Sequence, residues 1–378
     1  MIKVLHVTPG LETAGAETLL TQLVGAMDRD RFENVVVSLT DEGQMLGKSI
    51  REKSIPLHAM HFSRGIPNPG LIYKLAQEIK RHSPTVVHTW MYHANIVGSL
   101  SCQIAGRPKL VWGLHTAKVG PGDVKPLTMQ MIRLGRVMSR RFPDRIACSS
   151  DSARAAHVEL GYAVDKLQTI YNGIDTGRFV PDSTVRDAKR LELGIDATAP
   201  VVGMVARFMK VKDHATFFRA AGILHKRRPE TRFVLCGAGV TKDNAALWSY
   251  VTDAGVQNAT HLLGLSSDTE RLNTAFDVAT SSSAFAESFC IALGEAMACG
   301  VPCVTTNMEG PAALVGDTGV VVPIGDAQAM ATAWETIIDL SPTARAEAAE
   351  RTRRRILEHF SLTSMVTQYE DLYSELCA

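Results

Sequence analysis

The sequence predicts an α/β fold in which two doubly wound parallel sheets follow one another along the chain. Short strands that are apolar on both faces alternate with longer segments of helical period throughout the sequence. This alternation is typical of parallel sheets that are covered by helices on both sides. The length of 378 residues is also sufficient for two domains that each bury a core.

The predicted strands are spaced evenly in both halves. In the first half they are VLHV (4–7), NVVVSL (34–39), TVVHTW (85–90), LVWGLH (110–115) and RIACSS (145–150). In the second half they are VVGMVA (201–206), RFVLCG (232–237), THLLG (260–264), DVATSS (277–282), PCVTT (302–306) and GVVVP (319–323). Helices are predicted at 17–27 and 71–82, and the Asn68-Pro69 pair is a typical start for the second of them.

The domain boundary is expected within 173–200, where YNGIDTGRFVPDSTV contains turn residues instead of a hydrophobic period. We therefore expect a first domain at 1–178, a second at 179–360 and a closing helix at 361–378. This helix has apolar residues at helical spacing, namely Met365, Tyr369, Leu372 and Leu376. The sequence does not indicate what the helix packs against.

Composition excludes several classes of protein. The formal net charge of +1 argues against a general nucleic-acid binder, so no nucleic-acid partner is expected. No run of about 18 apolar residues is present, and the apolar start of the chain is too short for a signal peptide. The seven cysteines form no CxxC pair, which is typical of buried thiols in a reducing compartment, so we expect a cytoplasmic protein.

Residues just after strands are the first candidates for a site, because ligands of parallel sheets lie beyond the carboxyl ends of the strands. After the first strand, TAGAE (13–17) opens a helix whose free N–H groups suit an anion, although a plain turn would have the same sequence. After VVGMVA, the cations Arg207, Lys210 and Lys212 suit a diphosphate, although they also fit a solvated basic loop.

Two carboxylates follow the strand DVATSS. Glu287 lies in the loop, and Glu295 lies in the following helix, where an ordinary surface residue is the alternative. The apolar neighbours of Glu295 argue against that alternative, because an unpaired glutamate in a buried helix would be costly. A carboxylate accepts two hydroxyl hydrogen bonds at once, which suits a sugar or a ribose. The loop amides of 288–290 would donate to further hydroxyls.

Histidines gather at two further strand ends. His88 and His93 flank one, and His115 follows the next. Imidazole there can act as an acid, a base or a hydrogen-bond donor, although a structural histidine is the commoner case.

In order along nearly the whole chain, these segments resemble glycosyltransferase family 4. The segments are AGAE (14–17), HTWMYHAN (88–95), GLHT (113–116), YNGIDTGRF (171–179), VARFMKVKD (205–213), CGAG (236–239) and ESFCIALGEAMACGVP (287–302). The two glutamates separated by seven residues are the most specific of these signals. The resemblance implies the GT-B architecture, with two Rossmann-like domains facing across a cleft, an N-terminal domain for the acceptor and a C-terminal domain for the nucleotide sugar.

The resemblance also implies a retaining hexosyltransferase that uses no metal and no cofactor. It implies donor contacts from Gly15, Ala16, Arg207, Lys212, Gly237, Glu287, Ser288, Phe289, Cys290 and Glu295. It implies acceptor contacts from Glu17, His93 and His115. The catalytic group would be His93, Glu287, Arg207 and Lys212, with the two cations stabilising the leaving nucleotide. The expected donor is a UDP-sugar in preference to a GDP-sugar, and the acceptor is a glycan, lipid-linked or small-molecule hydroxyl.

This sequence departs from the family pattern at several positions. Ala14 replaces a frequent Gly, Thr18 a frequent Arg, Trp90 a frequent His, and Cys290 a frequent Gly or Pro. These departures keep open a second interpretation, in which the chain is an inactive nucleotide-sugar-binding or scaffold subunit of a polysaccharide assembly system. A nicotinamide-dependent dehydrogenase is excluded because a full GxGxxG is missing.

The segment 125–145 combines Arg133, Arg136, Arg140 and Arg141 with apolar residues. It predicts a basic amphipathic helix that suits an anionic membrane surface, which would place the protein at the inner face of the membrane. A core helix with a solvated basic face fits the same pattern equally well.

Overall fold

The computed structural model describes residues 1–11, 15–63, 68–117, 126–285 and 287–378. Within these ranges, every strand pairing is parallel and the strands form two sheets. The strands are β1 Ile2–Thr8, β2 Phe32–Ser38, β3 Leu57–Ala59, β4 Val86–Trp90, β5 Lys109–Leu114, β6 Arg145–Cys148, β7 Leu167–Thr169, β8 Val201–Val205, β9 Arg232–Cys236, β10 Thr260–Leu262, β11 Val278–Ser281, β12 Cys303–Thr306 and β13 Val320–Val322.

Helices connect successive strands and complete the doubly wound pattern, and the last three helices follow β13. They are α1 Gly15–Ala26, α2 Met45–Glu52, α3 Pro69–His82, α4 Met91–Ile104, α5 Pro126–Ser139, α6 Asp151–Glu159, α7 Ser183–Glu192, α8 His214–Arg227, α9 Ala245–Asp253, α10 Thr269–Thr274, α11 Ile291–Ala298, α12 Glu309–Val315, α13 Ala327–Ile338, α14 Pro342–His359 and α15 Leu362–Cys377. The α3 start is as predicted, because the Asn68 side chain accepts a hydrogen bond from the Leu71 amide at 2.9 Å.

Both sheets reverse their strand order at an internal pair. The first runs β3-β2-β1-β4-β5-β6-β7 and the second β10-β9-β8-β11-β12-β13. The pairs β1/β4 and β8/β11 are therefore the switch points at which ligands of such sheets bind. The sequence predicted every strand except β3 and β7. Both are three-residue edge strands with one buried residue each, too short to show an apolar run.

The chain divides into two compact units, 1–173 with 362–378, and 174–361. In the first unit, α3, α4 and α5 pack on one face of the sheet. On the other face, α1 and α2 share a core with α15. In this core Met365, Tyr369 and Leu372 are buried, so the predicted closing helix packs with the first unit.

Helix α7 lies inside 173–200, where the sequence predicted turns. Its side chains at buried positions are Lys189 and Arg190. Lys189 pairs with Asp268 at 3.1 Å, and Arg190 pairs with Asp277 at 2.7 Å. The hydrophobic period is missing because cations with carboxylate partners occupy the inner face.

Asp277 is the centre of a buried ion cluster at the start of β11. Its carboxylate accepts hydrogen bonds from Arg186 at 2.7 Å, Arg345 at 2.8 Å and the Val201 amide at 2.8 Å. Burial by itself would raise the pKa of Asp277, but Arg186 and Arg190 outweigh it and hold the pKa below its usual value. The cluster joins α7, α14, β8 and β11.

All seven cysteines are free, and all except Cys377 are buried. Among the described residues, no helix is both long enough and apolar enough to cross a membrane.

Candidate functional site

In the second unit, the candidate site lies where β8 and β11 end. Lys212 follows β8 in a short 3-10 turn, and Glu287 lies in the loop after β11. The Lys212 ammonium donates to Glu287 Oε2, and the Ser283 hydroxyl donates to the same oxygen at 3.0 Å. The two charged side chains are only 20% and 14% exposed. The structure therefore joins two predicted site residues in one largely buried ion pair.

Backbone contacts hold the two loops together. The Ser282 hydroxyl donates to the Lys212 carbonyl at 2.7 Å, and the Ala284 amide donates to the Val211 carbonyl at 2.9 Å. From β12, the Thr306 hydroxyl donates to the Ser283 carbonyl at 2.5 Å. Sequence reasoning did not select Ser283 or Thr306. Their positions at the ends of neighbouring strands were the signal that could have found them.

The charge state of Lys212 follows from its neighbours. Burial and the Arg207 charge would lower the pKa of Lys212, but the Glu287 carboxylate raises it, as does the Cys290 thiolate that forms at alkaline pH, and the net result is a raised pKa. Lys212 is therefore an ammonium at neutral pH. Burial raises the pKa of the Cys290 thiol, which leaves it neutral beside the ion pair.

Arg207 is exposed, as is Lys210. It follows β8 by two residues, and its guanidinium forms no ion pair or hydrogen bond with the residues that the structure describes. Gly237 fixes the backbone beneath it. At Gly237 φ is 151°, and a Cβ there would be 2.2 Å from the Ala206 carbonyl oxygen, so only glycine allows this approach.

Glu295 lies in α11, and its carboxylate has no ion-pair or hydrogen-bond partner among the described residues. Burial raises its pKa to about 7, Arg178 acts in the opposite direction, and Glu270 adds to the rise. Arg178 itself pairs with Glu270 at 2.5 Å. Glu295 is thus a desolvated carboxyl that a hydroxyl donor would satisfy.

The loop between Glu287 and α11 is packed on both sides. Phe289 and Cys290 are buried, and the Phe289 ring lies 5.7 Å from that of Phe360. At the start of α12, a Cβ on Gly310 would be 2.3 Å from the Ser288 carbonyl oxygen. Gly310 therefore lies in close contact with the loop that contains Ser288.

In the first unit, α1 and α4 begin after the switch-point strands β1 and β4. Gly15 is exposed and opens α1, with Ala16 and Glu17 half-buried behind it, while Thr13 and Ala14 lie outside the described residues. His93 is half-buried in the first turn of α4, and burial lowers its pKa. Met91, which opens this helix, has a left-handed φ of 71° that costs about 1–3 kcal/mol. Such strain concentrates at functional sites.

Trp90 and His88 belong to the core instead. The Trp90 indole is buried and donates to His6 Nδ1 at 3.3 Å, and His88 Nδ1 lies 2.7 Å from the Tyr373 hydroxyl of α15. His115 stacks on Trp90 with ring centroids 5.2 Å apart, and burial lowers its pKa to about 4. A tryptophan at position 90 thus completes a neutral aromatic cluster, and His93 is the more exposed histidine of this region.

No metal-binding group is evident at either switch point within the described ranges. Among those residues, the one set of three donor side chains within metal-binding reach is His58, Glu78 and His82, beside the edge strand β3. At β8/β11, Arg207 and Lys212 provide the positive charge.

The two halves of the chain match two family profiles. The profile "Glycosyltransferase Family 4" matches residues 13–178, and "Glycosyl transferases group 1" matches 185–355. A lipopolysaccharide core biosynthesis glycosyltransferase of Rhizobium meliloti is 31% identical over 64% of this chain and 68% of its own length. The chain is a member of glycosyltransferase family 4.

Two further relatives span nearly all of this glycosyltransferase. The Escherichia coli UDP-Gal:alpha-D-GlcNAc-diphosphoundecaprenol alpha-1,3-galactosyltransferase is 24% identical over 99% of this chain and 97% of its own length. A crystal structure of an Anabaena protein in complex with UDP-glucose matches with a TM-score of 0.85 and 23% identity, covering 99% of this chain and 100% of that one. The structural likeness confirms the predicted GT-B fold class with two Rossmann-like domains.

Proposed function

We propose that this glycosyltransferase moves a sugar from a nucleotide-diphosphate sugar to a hydroxyl acceptor with retention at the anomeric carbon and without a metal or cofactor. A UDP-sugar is the preferred donor over a GDP-sugar. The acceptor is a glycan, a lipid-linked saccharide or a small molecule. The observation that carries the proposal is the Lys212–Glu287 pair at the β8/β11 switch point, with the exposed Arg207 beside it.

Arg207 and Lys212 would bind the donor diphosphate. A guanidinium binds phosphate oxygens bidentately, and a charged lysine adds a compact positive charge. As the bond between the anomeric carbon and the phosphate oxygen breaks, both cations would stabilise the negative charge on the departing diphosphate. This interaction strengthens in the transition state, which is the condition for accelerating the reaction.

The carboxylates and the loop would hold the rest of the donor. Glu287, oriented by Ser283, would accept hydrogen bonds from the sugar hydroxyls, and Glu295 from the ribose. Donor contacts are also proposed for Gly15, Ala16, Gly237, Ser288, Phe289 and Cys290. Gly237 would also help to position Arg207, because its backbone packs closely against the neighbouring Ala206 carbonyl.

On the acceptor side, we assign His93 to the active site and Glu17 and His115 to acceptor contacts. The acceptor oxygen would attack on the face that the diphosphate leaves. Its proton would pass to the departing phosphate, so no protein base is consumed. The lowered pKa of His93 keeps its imidazole neutral, and it can then accept or donate one hydrogen bond to the acceptor hydroxyl.

The relatives support the choice of donor and acceptor class. The Escherichia coli relative is named for UDP-Gal and for a diphosphoundecaprenol-linked acceptor, and the Anabaena structure contains UDP-glucose. In this chain, the outer face of α5 exposes Arg133, Arg136, Leu134 and Val137, with Arg140 and Arg141 just beyond it. This face suits an anionic membrane at the cytoplasmic side, where lipid-linked acceptors lie.

Replacement of Arg207 tests the proposal most cleanly, because its side chain has no partner among the described residues whose loss would disturb the fold. We expect Arg207→Ala to lower transfer about 100- to 1,000-fold, as for loss of one donor from an oxyanion site. The measurement is the release of nucleoside diphosphate from a panel of UDP-, GDP- and ADP-sugars in the presence of acceptor. The matched control is Arg354→Ala on α14, whose arginine pairs with Glu350 at the surface. Normal turnover of the Arg207 variant would overturn the assignment.

The competing function is an inactive nucleotide-sugar-binding subunit. That protein would gain thermal stability from a nucleotide sugar but release no diphosphate with any acceptor.

Retention of configuration is tested by determining the anomeric configuration of the product by NMR. Metal independence is tested by unchanged initial rates in excess chelator.

A further inference from the structure

We propose that His58, Glu78 and His82 form a binding site for a divalent transition metal of the zinc class. The site lies in the first unit, at the edge strand β3 and the last turns of α3. It contains none of the residues assigned to sugar transfer, so the proposal does not depend on the reaction. Its function would be to fasten a short edge strand to the neighbouring helix.

The topology places the three donors together. Glu78 and His82 are four residues apart on α3 and therefore share one face of the helix. His58 lies in β3, and its ring centroid is 4.9 Å from that of His82. One donor atom from each of the three residues lies within 4.8 Å of the others. All three side chains are partly buried, so their positions are restricted by packing.

The spacing is close to that of a metal site. Ligands about 2.1 Å from a tetrahedral zinc ion lie about 3.4 Å from one another. The distance from His82 Nε2 to Glu78 Oε2 is 3.6 Å. The His58 donor atom lies within 4.8 Å of the other two and would move closer on coordination.

Two of the donor atoms have unmet hydrogen-bonding capacity. Glu78 Oε2 and His82 Nε2 are buried, and neither has a hydrogen-bond partner within the described ranges. Leaving such atoms unpaired is unfavourable, because they lose their hydrogen bonds to water without replacing them. The other oxygen, Glu78 Oε1, faces the exposed Arg81 at 3.8 Å. A cation between Oε2 and Nε2 would satisfy both buried atoms together.

The donor set selects the class of metal. Two imidazoles and one carboxylate are the ligands of open zinc sites, in which water completes the tetrahedron. Cobalt, nickel and copper ions share this preference, whereas calcium and magnesium require mostly oxygen ligands. His58 and Glu78 also line a surface depression together with Glu42, Lys74 and Gln77, which gives the metal and its water a path from solvent.

The alternative is an ordinary ion pair between protonated His82 and Glu78. The two cases differ at His58, which the ion pair does not need. A His58→Gln variant should therefore lose metal binding while it keeps the ion pair.

The experiment is calorimetric titration of tag-free, chelator-treated full-length protein with Zn²⁺, and with Mg²⁺ for comparison. We expect one zinc ion per chain and a higher unfolding temperature with zinc, because metal that binds only the folded state stabilises it. Loss of a ligand in His58→Gln or His82→Gln should lower the affinity for zinc at least about 100-fold. Loss of a residue that only supports a ligand already lowers metal affinity about 10- to 100-fold. The control His359→Gln removes an exposed histidine beside a glutamate and should bind zinc normally.

Unfolding of the metal-free variants at the temperature of the metal-free parent will show that they fold. Cobalt(II) provides a second measurement, since tetrahedral coordination gives an intense visible absorption that His58→Gln should abolish. Equal zinc affinity of the parent and His58→Gln, or no zinc binding by the parent, would overturn the proposal.

Discussion

At the scale of single residues, two glutamates of one motif lie in different environments. Glu287 is paired with Lys212 and Ser283, so its charge is compensated within the protein. Glu295 has no such partner among the described residues, and burial raises its pKa to about 7. An uncompensated buried carboxylate destabilises a fold, and the proposed binding of ribose hydroxyls would account for keeping one.

Glu295→Gln should stabilise the protein at alkaline pH and weaken nucleotide binding. A carboxyl with a raised pKa holds its proton more tightly in the folded state, so the parent loses stability as pH rises from about 4.5 to about 7. This loss is on the order of 3 kcal/mol for a shift of this size. The neutral glutamine escapes the loss, so the variant should unfold at higher temperature than the parent above pH 7. The two should converge towards pH 4.

Binding of UDP should weaken about fivefold in the same variant, because hydrogen bonds to a charged group exceed neutral ones by about 1 kcal/mol. Thermal unfolding from pH 4 to pH 9 and titration with UDP are the measurements. Glu347→Gln, an exposed glutamate of α14, is the control and should change neither property. A parallel pH profile for parent and Glu295→Gln would contradict the assignment of the raised pKa.

At the scale of secondary-structure elements, polar clusters position both switch points. In the second unit, Asp277 joins α7, α14, β8 and β11 through Arg186, Arg190 and Arg345. This cluster lies at the start of β11, the strand whose other end leads to Glu287. In the first unit, His6, His88 and Trp90 connect the sheet to Tyr373 of α15. Both arrangements place buried polar groups under the elements that carry the candidate site.

Asp277→Ala should destabilise the protein by about 3–5 kcal/mol, because it leaves buried guanidinium groups without their partner. Arg190 is the most affected, since only 2% of its side chain is exposed. Urea unfolding of the variant, followed by fluorescence, measures the change. Asp339→Ala serves as the control, since it removes a surface partner of Arg228 and should cost no more than about 1 kcal/mol. A similar cost for the two variants would show that the buried cluster contributes little.

At the scale of the whole molecule, one helix of the first unit has two faces of different character. The inner face of α5 buries Met131, Ile132 and Met138 against the core. The outer face exposes Leu134 by 42% and Val137 by 68%, between arginines. The buried inner face agrees with the core-helix interpretation of 125–145, and membrane binding by the outer face stays a prediction. Lys125 itself lies outside the described residues. A core helix can also carry a membrane-binding face.

We expect the protein to sediment with vesicles that contain anionic lipid and to remain in solution with neutral vesicles. Each arginine near an anionic surface contributes about 1 kcal/mol, so Arg133→Ala with Arg140→Ala should weaken partitioning about 30-fold. The matched control is the pair Arg351→Ala and Arg354→Ala, two exposed arginines of α14. Equal sedimentation with anionic and neutral vesicles would remove the membrane from the proposed function.

Particular residues show how far sequence reasoning could go. It predicted the strands that precede Arg207, Lys212, Glu287 and His93, because buried parallel strands have continuous apolar runs. It failed for α7, whose inner face holds Lys189 and Arg190 instead of apolar residues. It also had no means to select Asp277, because the partners of that residue come from helices far apart in the chain.

The sequence by itself determined the α/β class and the residues that end each strand, because local hydrophobic period and turn chemistry are encoded in neighbouring residues. Only the tertiary structure decided which of those residues meet. The pairing of Lys212 with Glu287, the burial of Trp90 in the core and the packing of α15 on the first unit all depend on contacts between distant segments. Strand order and helix docking create these contacts, and a one-dimensional pattern does not contain them.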